Sequence, residues 1–170
     1  DLGIVPLPVS HSLIEIDNKP LVRVRAEALL PDDPPLAKKK QLTAADLAPY
    51  PMLGLWPSQI WRQQIDDFFR SGGAVPSYSV ETRSSLMACQ MVRDGAGIAI
   101  LDRVCAQAID LNGLTLRPID PERWISFGYI QHRGSTLSAH AEHFLDCLKR
   151  VIENLRMRDA HYKSAIVPLT

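Results

Sequence analysis

The chain has 170 residues, 46% of them hydrophobic and 22% charged, and its 19 basic and 19 acidic side chains give a formal net charge of zero. This composition is that of one or two small globular domains, and without a net positive charge the chain itself is a poor candidate for binding nucleic acid. No stretch approaches the roughly 18 consecutive apolar residues of a membrane-spanning helix, so we expect no membrane partner. The three widely spaced cysteines, Cys89, Cys105 and Cys147, favour reduced thiols in the cytoplasm over a disulfide framework.

Prolines divide the first third of the chain into short elements. Residues 2–5 predict a strand that Pro6 ends, and residues 21–30 alternate apolar and charged side chains, which predicts a half-buried strand. Two aspartates and two prolines at residues 32–35 end that strand and form a candidate hinge, because proline cannot donate to a β-ladder. Residues 43–47 predict a single capped helical turn.

The middle of the chain alternates strand and helix patterns. Apolar runs predict buried strands over residues 52–56, up to Val80 and over residues 98–101, and amphipathic segments at residues 59–70 and 86–92 predict the helices between them. This order is typical of parallel β-α-β units, in which an unbroken apolar run indicates a strand buried on both faces.

The last third contains the strongest helical pattern. Residues 103–109 predict a short helix, and residues 114–119 and 124–131 predict strands. Apolar side chains then repeat every three or four residues over 137–155, which predicts a long helix. Residues 156–170 have weak periodicity, so we expect a peripheral or disordered tail.

The strand-to-helix junction at residues 82–85 is the first candidate for a small-molecule site. Its sequence, Thr-Arg-Ser-Ser, supplies hydroxyl groups that can cap the following helix, and ligands of open α/β sheets bind at this edge. Gly95 and Gly97 are interpreted as the end of the same helix, since glycine takes left-handed backbone angles at little steric cost.

Metal and catalytic motifs are weak in this sequence. His140 and His143 lie three residues apart in the long helix, but only Glu142 accompanies them, so we interpret them as solvent-exposed. The sequence has no Gly-x-Ser-x-Gly and no Walker-type glycine loop. We therefore expect no metal, no cofactor and no catalytic residues.

The order of these elements and several local strings resemble the effector-binding domain of LysR-type transcriptional regulators. The strings are DLGIV at residues 1–5, LLP with PLA at 29–37, DL at 46–47, MVRDGAGIAIL at 91–101 and LS at 137–138. The resemblance implies an α/β fold, the two-lobed type 2 periplasmic-binding-protein-like domain.

The resemblance also implies the limits of the two lobes. The second lobe is expected to be complete at residues 34–126, and the first to be partial at residues 1–33 and 127–170. Pro34 stands where the family has a histidine, a change at the candidate hinge.

The family places further first-lobe elements, and before them a helix-turn-helix, ahead of the position of Asp1. We therefore expect this chain to be a truncated effector domain within a longer protein. On that reading, apolar surface should be exposed on Ile4, Val5 and the final helix unless a partner covers it.

In the family a small-molecule effector lies in the cleft between the lobes. The implied contacts are Trp56, Pro57, Ser58, Gln59, Thr82, Arg83, Ser84 and Ser85 in the second lobe, and Pro6 and Leu7 in the first. Helix N-terminal amides at both second-lobe junctions favour an anionic group, and Arg83 can add a charge-assisted hydrogen bond. Ser58 and Ser84 are equally consistent with simple helix caps, and Trp56 is more consistent with a core residue.

The resulting hypothesis is the effector-sensing domain of a LysR-type transcriptional regulator. A small anionic metabolite would close the lobes and so control DNA binding by the parent protein, through a helix-turn-helix absent from this chain. By resemblance we expect a homodimer or homotetramer.

A solute-binding protein of a transport system is the alternative, disfavoured by the cysteines and the lack of a signal-like segment. An enzyme on the same fold is the third reading.

Overall fold

The computed structural model describes residues 2–9, 15–33 and 35–169. The connection at residues 10–14 and the hinge residue Pro34 lie outside the described residues. The chain forms two compact units: unit 1 comprises Asp1–Val24 and Trp124–Thr170, and unit 2 comprises Arg25–Arg123.

Unit 1 contains an antiparallel strand pair at its start. Strand β1 (Gly3–Leu7) runs antiparallel to β7 (Trp124–His132). Pro6 lies within β1, opposite Phe127, so the prediction that Pro6 ends the strand is wrong. The reason is that β1 is the end strand of its sheet, where a residue without an N–H group is tolerated.

Strand β2 (Ile16–Pro31) is longer than predicted and contributes to both units. Within unit 1 it pairs antiparallel with the last strand, β8 (Ile166–Pro168). The expectation of a peripheral or disordered tail is wrong, because the short helix α6 (Ala160–Ala165) and β8 bury Tyr162 and Ile166. Both elements contact the preceding helix, α5 (Ala139–Arg156).

Helix α5 confirms the strongest helix prediction but buries little of its apolar surface. Ser138 caps it by accepting a hydrogen bond from the Ala141 N–H at 3.3 Å. Leu145 is its buried residue, whereas Phe144 and Val151 are about half exposed. The expected exposed apolar surface is therefore confirmed for α5. It is also confirmed for Ile4, whereas Val5 is half-buried.

Unit 2 contains a small sheet around the second half of β2. Strands β5 (Ala99–Asp102) and β6 (Leu114–Pro118) both run antiparallel to β2. The predicted burial of β5 is confirmed, but its predicted place in a parallel sheet is wrong. An isolated parallel β-bridge joins Ile98 to Met52 of β3. The residues that follow Ile98 form β5, which pairs with β2 and not with β3.

A parallel strand pair completes unit 2. Strands β3 (Pro51–Leu55) and β4 (Ser77–Thr82) are parallel, joined by helix α2 (Ile60–Ser71), as the β-α-β pattern predicts. Leu55 lies opposite Thr82, so both strands end at the same edge. Helix α3 (Ser85–Arg93) then leads back to residue 98.

The rest of unit 2 consists of short connecting elements and an apolar core. A 3-10 turn (Leu36–Lys38), α1 (Ala44–Leu47) and α4 (Arg103–Ala106) connect the larger elements, and Thr43 and Asp46 form the capping box of α1. One part of the core is built from Leu29, Leu53, Ala88, Cys89, Val92, Ala99, Leu101, Ala106 and Leu116. Within the described part of the chain, no helix is long and apolar enough to cross a membrane.

Candidate functional site

The candidate site is the edge of unit 2 where β3 and β4 end. We call its eight residues the junction cluster: Trp56, Pro57, Ser58, Gln59, Thr82, Arg83, Ser84 and Ser85. The parallel register of the two strands, with Leu55 opposite Thr82, explains why two segments so far apart in sequence lie at one edge. The two junctions that the family resemblance implies as effector contacts therefore lie at one edge of this strand pair.

Trp56 and Arg83 form the exposed part of this cluster. The Trp56 side chain is 42% exposed, so its interpretation as a core residue is wrong. It follows the last residue of β3 and no longer faces the interior. The guanidinium carbon of Arg83 lies 5.2 Å from the Trp56 ring centroid, within the range of a cation–π contact. Because Arg83 is also exposed, its charge is available to a ligand.

Gln59 connects the two junctions. It is the N-cap residue of α2, yet its side chain makes no capping hydrogen bond. Instead, Gln59 Nε2 donates to the backbone carbonyl oxygen of Arg83 at 3.1 Å. Its Oε1 atom is buried and accepts no hydrogen bond from any described residue. The N-terminus of α2 therefore has no side-chain cap, and a buried acceptor lies beside it.

Ser84 and Thr82 shape the start of α3. Ser84 Oγ accepts a hydrogen bond from the Met87 N–H at 3.2 Å, so Ser84 is a helix cap. Its own N–H donates to Thr82 Oγ1 at 3.2 Å. Ser58 does not cap α2, because the helix begins one residue later with Gln59 as its N-cap. The cap interpretation is thus correct for Ser84 and wrong for Ser58, which is exposed.

A buried arginine holds the strands and helix behind the junction cluster. Arg62 Nη1 donates to the carbonyl oxygen of Leu55, the last residue of β3, at 2.8 Å. The same side chain forms ion pairs with Asp66 on α2 and Glu81 on β4, and lies 3.6 Å from the Tyr78 ring centroid. Sequence reasoning missed Arg62, whose one local signal is the spacing of four residues from Asp66.

Tyr78 extends this network with a hydrogen bond to a carboxylate. Its hydroxyl donates to Asp66 Oδ1 at 2.7 Å. Burial raises the pKa of Tyr78 well above its usual range, and the Asp66 carboxylate adds to the effect. The phenol therefore stays protonated at neutral pH and keeps donating. Stability from this bond is complete below pH 10 and is lost as the pH rises towards the folded pKa.

A second buried charged group lies elsewhere in unit 2. Glu27 on β2 is fully buried and pairs with Arg25 at 3.0 Å and with Arg103 at 2.8 Å. Asp102, the N-cap of α4, is also buried, and desolvation raises the pKa of its carboxyl. No sequence motif indicated that these charges would be internal.

The remaining predicted residues lie outside unit 2. Pro6 and Leu7 belong to β1 of unit 1, where Pro6 is exposed and Leu7 is buried. His140 and His143 are exposed on α5. Among the described residues, no three His, Cys, Asp or Glu side chains are grouped so as to hold a metal ion.

Comparison with known families identifies the domain. The model of the LysR substrate binding domain matches residues 1–153. The chain belongs to this LysR family. The match confirms the resemblance inferred from the sequence strings and the predicted fold class. The members of this family are transcriptional regulators.

Two curated relatives agree with the family match. The chain is 30% identical over 117 residues to the transcriptional activator protein LysR of Escherichia coli (strain K12), covering 69% of this chain and 37% of that protein. It is 30% identical over 121 residues to the regulatory protein NocR of Agrobacterium tumefaciens (strain T37), covering 71% and 40% respectively. The chain thus spans about two fifths of the length of these regulators.

Solved structures share the fold of this LysR domain. The regulatory domain of Synechocystis PCC6803 CcmR, in complex with 2-PG, matches with a TM-score of 0.74 and 22% identity, over 91% of this chain and 74% of that one. The effector-binding domain of QuiR, in complex with shikimate, matches with a TM-score of 0.70 and 18% identity, over 89% and 71%. At these identities the likeness is one of fold.

Proposed function

We propose that this LysR domain senses a small anionic metabolite, which binds at the junction cluster of unit 2. The observation that carries the proposal is the parallel pairing of β3 and β4, which brings two strand-to-helix junctions to one edge. In open α/β sheets this edge is the usual place for a ligand. CcmR and QuiR, which share the fold, were both solved with small molecules.

The chemistry of the junction cluster favours a carboxylate that also carries a hydroxyl group. Arg83 supplies an exposed positive charge beside the Trp56 ring, and α2 begins without a side-chain cap, so its first amides are available to an anion. The buried Oε1 of Gln59 needs a donor, which a ligand hydroxyl would supply. Ser84 contributes less, because its oxygen already caps α3.

Ligand-induced stabilisation tests this proposal. A panel of hydroxylated and plain carboxylates is added to the protein, and the unfolding midpoint is measured by thermal shift. We expect at least one hydroxylated carboxylate to raise the midpoint, and the double variant Arg83→Ala, Ser84→Ala to bind it at least about tenfold more weakly, the value of one charge-assisted hydrogen bond.

A matched double variant separates binding from stability. Arg70→Ala removes another exposed arginine of unit 2, and Ser138→Ala removes the equivalent cap of α5. This control should lose a similar amount of stability, about 1 kcal/mol for the cap, and keep the full ligand response. The proposal fails if no carboxylate stabilises the protein, or if both double variants respond alike.

The first lobe of the regulator is proposed to comprise residues 1–33 with 127–170, and the second lobe residues 34–126. Units 1 and 2 of the structure correspond to these lobes only approximately, because residues 25–33 belong to unit 2. On the family resemblance, Pro6 and Leu7 are proposed contacts from the first lobe. A ligand contact is better supported for Pro6 than for Leu7, since the side chain of Pro6 is exposed and that of Leu7 is buried.

The parent protein is proposed to be a cytoplasmic homodimer or homotetramer that binds DNA through a helix-turn-helix outside this chain. The exposed apolar side chains Phe144 and Val151 of α5 are consistent with burial in a larger assembly. Size-exclusion chromatography with light scattering on the intact regulator should give twice or four times the monomer mass. A monomer at micromolar concentration would contradict this expectation.

A further inference from the structure

Two cysteines that are far apart in sequence meet in unit 2. Cys89 lies on α3 and Cys105 on α4, and their sulfur atoms are 3.9 Å apart. Both are free thiols. The third cysteine, Cys147, is on α5 of unit 1, where its sulfur contacts His143 and Arg150. The close pair is therefore a feature of unit 2 alone.

The environments of the two thiols differ in a way that gives them different roles. Cys89 is fully buried in the apolar core, beside Ala88 and Val92. Cys105 packs against that core but is partly exposed, so of the two residues it is the more accessible to a small reagent in solution. A reactive thiol at the surface with a second thiol behind it is the arrangement of an attacking and a resolving cysteine.

The distance between the sulfurs is compatible with bond formation. A disulfide requires about 2.05 Å between the sulfurs, so they must approach by about 2 Å. That approach is within the reach of side-chain rotation and a small shift of the short helix α4. The hydrogen bond between the two thiols lowers the pKa of Cys105, against the opposing effects of burial and of Asp102. The same pairing, together with burial, raises the pKa of Cys89 far above its usual range, so Cys89 stays a thiol.

We propose that Cys89 and Cys105 are a reversible dithiol–disulfide site, which a peroxide oxidises. The Cys105 thiolate attacks one peroxide oxygen, the O–O bond breaks, and a sulfenic acid forms as hydroxide leaves. Cys89 then attacks the sulfenic sulfur, the S–S bond forms, and the sulfenic oxygen leaves as water with the Cys89 proton. The hydroxide takes up the proton lost from Cys105. Two thiols are oxidised and one peroxide is reduced to two waters.

The bond would connect the helix that begins at the junction cluster to the helix that follows β5. Since the two cysteines are 16 residues apart, the link closes a loop and should stabilise unit 2 against unfolding. The proposal rests on the sulfur geometry and does not depend on the identity of the effector.

Oxidation of the protein with a small excess of hydrogen peroxide tests the site. We expect two free thiols to disappear, the intact mass to fall by about 2 Da, and dithiothreitol to restore both changes. Trypsin should then release residues 84–93 joined to residues 104–123. The oxidised protein should also unfold at a higher urea concentration than the reduced protein.

Single variants assign the roles of the thiols. Cys89→Ser should stop at a sulfenic acid on Cys105 that dimedone captures, and Cys105→Ser should give neither the cross-link nor an adduct on Cys89. Cys147→Ser, the matched control, should oxidise as the unchanged protein does. Should a serine variant fail to fold, the loss of two thiols and the cross-linked peptide in the unchanged protein and in Cys147→Ser still test whether Cys89 and Cys105 form the disulfide.

Three results would overturn the proposal. The first is survival of both thiols in the unchanged protein under conditions that oxidise free cysteine. The second is oxidation to sulfinic or sulfonic acids without a cross-link. The third is a disulfide that includes Cys147 in place of either partner.

Discussion

Replacing Glu27 with glutamine is expected to lower the free energy of unfolding of unit 2 by about 3–5 kcal/mol, the cost of breaking a buried ion pair by removing one partner. The Glu27 side chain is fully buried between Arg25 and Arg103, which are only 11% and 13% exposed. Glutamine has the same shape but no charge, so it leaves two largely desolvated guanidinium groups without the carboxylate that neutralises them. Urea unfolding followed by tryptophan fluorescence, to which Trp61, buried in the same unit, contributes, measures the change.

Glu122→Gln is the matched control for this prediction. Glu122 also pairs with Arg25, at 3.3 Å, but its side chain is 51% exposed. An exposed pair of this kind contributes about 0–1 kcal/mol, so the control should unfold almost as the unchanged protein does. Equal losses in the two variants would mean that burial does not set the strength of this cluster. A more stable Glu27→Gln variant would mean that the free-energy cost of desolvating the carboxylate exceeds the stabilisation from its two ion pairs.

The sequence predicted those parts of unit 2 whose causes are local. The apolar run of β3 and the amphipathic pattern of α2 each lie within one segment, and a helical crossover between two neighbouring strands makes their parallel pairing the standard outcome. The pairing of β5 was not predictable in this way. Burial on both faces is common to parallel and mixed sheets, so the apolar run could not show that β5 pairs with β2.

Other sequence predictions failed, or were missing, because contacts between residues distant in sequence leave no local pattern. The partners of Arg62 include Glu81, 19 residues away, so its role behind the junction cluster could not be inferred from spacing. The buried residues of the tail, Tyr162 on α6 and Ile166 on β8, lie in elements of six and three residues, which are too short for periodicity to emerge. Trp56 extended an apolar run by one residue and was therefore assigned to the core.

Gly97 has a second structural role that the sequence pattern does not indicate. The sequence favours a helix end at Gly95 and Gly97, and both have positive φ angles, +82° and +152°. Gly97 also allows the chain to approach β3: the Ile98 N–H donates to the Pro51 carbonyl at 2.9 Å, and the Leu53 N–H donates to the Ile98 carbonyl at 2.7 Å. A Cβ atom on Gly97 would meet the Pro51 carbonyl oxygen, whereas one on Gly95 would meet no atom within 4 Å.

Gly97→Ala is therefore expected to cost about 2–4 kcal/mol, because backbone strain adds to a collision with backbone that is itself hydrogen-bonded. Gly95→Ala, the matched control, should cost about 1 kcal/mol, since only the positive φ angle is unfavourable there. Urea unfolding gives both values, and amide hydrogen exchange at Leu53 and Ile98 reports whether the bridge to β3 opens. Faster exchange at these two amides in Gly97→Ala alone is the expected signature. Similar costs in the two variants, with unchanged exchange, would mean that Gly97 serves only to end α3 and that β3 is held in place by Arg62 and β4.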